Sequence, residues 1–114
     1  MKLRLLITFG ILIVLVYAYN NYFTIQMVEG IYVNKNYEDS NGGANFPDTL
    51  SLYENHRFES NYWGTGHYKL SYSWRGTRIA LLSNNSLITK VYRSWFSKPR
   101  IMVMRDFNNY YEKQ

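Results

Sequence analysis

Between residues 66 and 74 the chain alternates without a break. Tyr68, Leu70, Tyr72 and Trp74 take one parity, and His67, Lys69, Ser71 and Ser73 take the other. Successive side chains of an extended strand point to opposite faces, so this run reads as a strand with an apolar face set against a core. The pattern recurs along the chain. Residues 29–33 read as a first strand, and 34–47, polar and rich in turn formers around Asn41-Gly42-Gly43, as a long loop. Residues 48–53 place Leu50 and Leu52 on one face; Glu54-Asn55-His56 then turns into 57–61, a hairpin expected to bury Phe58. After Arg75-Gly76, a further hairpin turn, come 77–83, 87–96, 99–104 and 109–112. That makes about eight strands with short connections, and no helical period after Phe23.

An up-and-down antiparallel sheet of this size leaves two costly edges unless it closes. The expected fold is therefore all-β: an antiparallel barrel of about eight strands preceded by one N-terminal hydrophobic helix. Composition agrees, because aromatic residues make up 18% of the chain and twelve of them are Tyr, which suits pleated sheet. With no cysteine, the core must hold without disulfides.

The hydrophobic helix comes from residues 5–19, which carry no charge and follow Lys2 and Arg4. Two readings stay open. Fifteen apolar positions are short for a span of about 20, and Val16-Tyr17-Ala18 fits signal cleavage. A retained anchor is the preferred reading, with Tyr17, Tyr19 and Tyr22 as interfacial aromatics and Phe23 and Ile25 available to lengthen the span. In both readings the basic N-terminus stays cytoplasmic and the rest is exported. The division is then 1–23, membrane segment, and 24–114, one barrel domain.

Three groups of residues carry a resemblance. Gly30-Ile31-Tyr32 resembles the Gly-x-Trp opening of lipocalin-like, or calycin, barrels, with Tyr in place of Trp. Leu50-x-Leu52 followed by Phe58, and Gly66-x-Tyr68-x-Leu70, resemble the meander that follows it. The resemblance covers most of residues 29–82; the chain is shorter than a typical lipocalin and lacks its C-terminal helix. It implies a barrel with an apolar ligand in its mouth. Residues 76–79, 96–101 and 106–111 also resemble stretches of uncharacterised membrane-anchored bacterial proteins, a resemblance that implies no activity.

Catalytic constellations are not expected. Only His56 and His67 offer a base for a nucleophile: His56 falls in a turn and His67 on a polar strand face. Two separated histidines without cysteine do not make a metal site, and no cofactor motif is present. The expectation is a binding protein, not an enzyme.

Charge is distributed unevenly. Residues 29–59 hold six acids and two bases, whereas 61–105 hold eight bases and no acid. Lys69, Arg78, Lys90, Arg93 and Arg100 are the candidates for contact with an anionic partner, since like charges on neighbouring strands add to one field. Lys90 and Arg78 should face solvent, and Arg93 and Arg100 should lie near the barrel rims. Anionic envelope components or an acidic protein fit an exported domain; nucleic acid does not. Tyr68, Tyr72, Trp74 and Trp95 are the candidates for an interior ligand site, although alternate strand positions make them core residues first. Met102 and Met104 are expected to fill gaps inside. Two functions follow: an exported, membrane-tethered binding module for an apolar or anionic envelope ligand, or an interaction protein of the immunity type that binds an acidic partner through its basic strand face.

Overall fold

The computed structural model describes residues 1–39, 44–83, 86–93, 97–104 and 109–114. Helix α1 (Lys2–Asn21) leads through a short helix α2 (Ile25–Val28) into eight strands: β1 (Gly30–Lys35), β2 (Thr49–Leu52), β3 (Arg57–Ser60), β4 (Gly64–Ser73), β5 (Gly76–Leu82), β6 (Leu87–Tyr92), β7 (Arg100–Met104) and β8 (Asn109–Lys113). Each strand pairs antiparallel with the next, and β8 pairs back onto β1, closing the barrel. Two helical pieces lie outside the expected pattern: α2 and a single 3-10 turn at Tyr37–Asp39. Neither is long enough to leave a periodic signature.

Inward positions follow parity. Tyr32, Leu50, Leu52, Phe58, Tyr68, Ile79, Leu81, Val91, Ile101 and Tyr111 are all buried and together occupy the interior. The long phenols find partners: the Tyr32 hydroxyl donates to the Val28 carbonyl at 2.5 Å, that of Tyr68 to the Tyr53 carbonyl at 2.6 Å, and that of Tyr111 to Asp48 Oδ2 at 2.6 Å. Burying a hydroxyl is tolerable only when it is bonded, so these contacts let a barrel core be built from tyrosine.

Both ends are covered. At the end where β1 begins, Phe23 and Val28 are buried against the interior. Thr24 caps α2 by accepting from the Met27 amide. At the other end Ala44, Asp48 and Trp63 are buried. Phe23 therefore belongs to the barrel core, and α1 ends at Asn21, so Phe23 and Ile25 do not extend the apolar helix.

Among the described residues, parity fails at the end of β4 and on β7. Tyr72 and Trp74 share the parity of Tyr68 but are 55% and 77% exposed, because the end of β4 runs past the core toward the helix. On β7 the inward residue is Ile101, with Val103 packed against the core, so Met102 points outward. The side chain of Met104 lies outside the described residues.

Candidate functional site

The end of α1 and the two residues after it join the barrel through bonds to β4, the β4–β5 turn, the start of β5 and the residue after β6. Tyr17 donates its hydroxyl to the Trp74 carbonyl at 2.9 Å, and Tyr22 to that of Ser73 at 2.6 Å. The Phe23 amide donates to Thr77 Oγ1 at 3.0 Å, and the Tyr72 hydroxyl to the Phe23 carbonyl at 2.6 Å. On the β6 side, the Arg93 amide donates to the Asn20 carbonyl at 2.9 Å. The Arg93 guanidinium lies 4.0 Å from the Tyr19 ring centre and 4.9 Å from that of Phe23. Such cation–π contacts gain strength as the site loses water. Gly76 starts β5 at φ +119, and a Cβ there would stand 2.9 Å from the Asn21 carbonyl oxygen. Only glycine lets the helix end approach so closely.

Directly beside this junction is a groove on the outer face of the barrel, with a volume of about 460 Å³. Its cations are Arg75, Arg78, Lys90 and Arg93; Tyr92 and Met102 form the apolar part, and Asn21 of the helix closes one side. Register explains the cluster. Arg78 on β5 is opposite Lys90 on β6, so two like charges sit directly across from each other. Facing like charges are unfavourable on a sheet surface unless an anion bridges them. No carboxylate among the described residues lines the groove. The phenol of Tyr92 has its pKa raised by burial. A second surface depression, about 390 Å³ near Tyr53, Arg57 and Glu59, mixes both signs of charge.

Of the cations expected to face a partner, Arg78, Lys90 and Arg93 converge on this groove, and Arg75 joins them. Arg75 is the one that strand parity missed, because it belongs to a turn; its guanidinium lies 5.0 Å from the Trp74 ring centre. Lys69 is exposed on β4, opposite Ala80 and outside the groove. Arg100 faces β8 instead, where its Nε meets Glu112 Oε2 at 3.0 Å and its guanidinium lies 4.6 Å from the Tyr110 ring centre. Its charge is thus locally answered.

The expected interior ligand residues separate. Tyr68 is buried core, with its hydroxyl bonded and its pKa pushed up to about 12 by burial, then by Glu29 and Glu54. Tyr72 and Trp74 lie outside at the helix junction, and Trp95 is outside the described residues. His56 takes a left-handed turn conformation at φ 68 and stacks on Tyr68, whereas His67 is exposed on β4 opposite Arg57. Among the described residues no three His or carboxylate groups converge as metal ligands.

Among the described residues Asp48 is the one buried carboxylate, 2% exposed. It accepts from Ser60 Oγ at 2.6 Å, from the Asn61 amide at 3.1 Å and from Tyr111 at 2.6 Å, so it ties the far end of the barrel shut. Burial, then the bond to Asp48 and its charge, raise the Tyr111 pKa strongly.

Fold and groove define a class of molecule: a closed eight-stranded antiparallel barrel carried on an apolar N-terminal helix, with a cationic outer groove where the two meet. The helix is long and apolar enough to cross a membrane. No family model, curated protein or solved structure matches the chain.

Proposed function

We propose that this protein is a membrane-tethered, exported binding module that takes an anionic envelope component in its outer groove, not an apolar ligand in its barrel. The helix supports a single-pass anchor with a cytoplasmic N-terminus, Lys2 and Arg4 flanking its start. Kinship with lipocalin-like barrels is part of the proposal. Its support is the strand order and the Gly30-Ile31-Tyr32 opening at β1. The ligand site of that resemblance is not carried over, since tyrosines and aliphatic residues occupy the interior and both ends are covered.

The observation that carries the reading is the facing pair Arg78 and Lys90, completed by Arg75 and Arg93, with no carboxylate among the described residues beside them. Full-length protein in a zwitterionic detergent, loaded on immobilised heparin as a generic polyanion, should be retained and released by salt. Reversing Arg78 and Lys90 to Glu should move elution to much lower salt, and Lys69→Glu, outside the groove, should move it less. Equal elution of wild type and the groove variant would reject the reading.

A further inference from the structure

We infer that the anion bound in the groove is the headgroup phosphate of a net-negative phospholipid in the same bilayer that holds α1. The inference rests on the proposed reading of the groove as an anion site and adds the ligand's class. Lys2 and Arg4 hold the start of α1 at one headgroup layer, and a helix of 20 residues is about 30 Å long, the thickness of the hydrocarbon core, so its end at Asn21 lies at the opposite headgroup level. Asn21 itself lines the groove, which therefore opens at that level.

The bonds from Tyr17 to Trp74 and from Tyr22 to Ser73 fix the β4–β5 turn beside the last helical turns. Tyr17 lies four residues before the helix end, or about 6 Å deeper. The turn that touches it presents Trp74, 77% exposed, with Arg75 over the ring. An exposed tryptophan carrying an arginine is poorly suited to open water and well suited to the membrane interface, where the ring takes the apolar side and the guanidinium the phosphates.

Charge selects the headgroup. Arg75 and Arg78 offer forked donors that match phosphate oxygens, and Lys90 adds a point charge. A zwitterionic headgroup would bring an ammonium as well, and no carboxylate among the described residues lines the groove to receive it. A net-negative headgroup has no such unmatched group. Met102 and Tyr92 supply apolar wall for the glycerol and upper acyl carbons.

Native mass spectrometry of the full-length chain in non-ionic detergent, with phosphatidylglycerol or phosphatidylcholine added, tests this directly. Wild type should retain phosphatidylglycerol at least about tenfold better, a factor that one lost charge-assisted contact can remove. Arg78→Glu with Lys90→Glu should fall to the phosphatidylcholine level, and the charge-keeping exchange Arg78→Lys with Lys90→Arg should restore retention. If the reversed pair unfolds, Arg75→Gln with Lys90→Gln replaces it, with the same expectation. Retention that is unchanged in the groove variants, or no preference in wild type, overturns the lipid. In that event, groove-dependent binding of polyglutamate would leave the anion reading standing with an acidic protein as partner. Loss of both would remove the anion reading too.

Discussion

Asp48 and Tyr111 meet at 2.6 Å in the closed end of the barrel, where the phenol of the last strand donates to a carboxylate just before β2. The bond joins residues 63 positions apart and helps fasten the chain's C-terminal strand to its first hairpin. Loss of the hydroxyl in Tyr111→Phe leaves Asp48 with two donors, Ser60 and the Asn61 amide, and should cost about 1.5–3 kcal/mol, the range for a hydrogen bond to a charged group. Denaturant unfolding of the full chain in micelles measures it. No change in midpoint would show that the bond does not contribute.

Alkaline pH offers a second check, because the interior phenols titrate late. Tyr68 is pushed up to about 12 by burial, and Tyr32 and Tyr111 are shifted further in the same direction. A folded-state pKa above the unfolded value near 10 means the fold favours the protonated phenol. That contribution is complete below about pH 10 and is lost as pH rises through the folded values. Stability should therefore drop steeply above about pH 10, and Tyr68→Phe should reduce that slope. Tyrosinate absorbance should show these phenols ionising only as the barrel opens; ionisation of every tyrosine before unfolding would contradict their burial.

Strand β4 shows how far alternation can be read. Tyr68 and Tyr72 share parity in sequence, yet one is core and the other is 55% exposed at the helix junction. The barrel and its closure were legible because period two and turn residues act locally and edges demand pairing. Where a strand outruns the core is not local information: it depends on where α1 docks. The same limit hid Arg75, a turn residue with no strand parity, and reversed Met102, since the run Ile101-Met102-Val103-Met104 is apolar at both parities. The basic stretch was visible as composition. That Arg78 and Lys90 face each other, while Arg100 is taken by Glu112, follows from register alone.

The two tyrosines should consequently differ in energy. Tyr68→Ser removes a buried ring and should cost about 3–5 kcal/mol. Tyr72→Ser removes a ring that is 55% exposed, together with its bond to the Phe23 carbonyl, and should cost only about 1–2 kcal/mol. Unfolding midpoints of the two variants in micelles decide the matter, and equal losses would mean that the end of β4 is buried after all.

The most direct test of an outward-working barrel is a backbone amide NMR titration of the full chain in zwitterionic bicelles, with phosphatidylglycerol as the added component. The shifts should concentrate at Arg75–Arg78 and Lys90–Arg93, around the groove, and leave Tyr32, Leu50 and Ile101 of the interior unmoved. Shifts centred on those interior residues, with the groove silent, would contradict the account and return the site to the inside of the barrel.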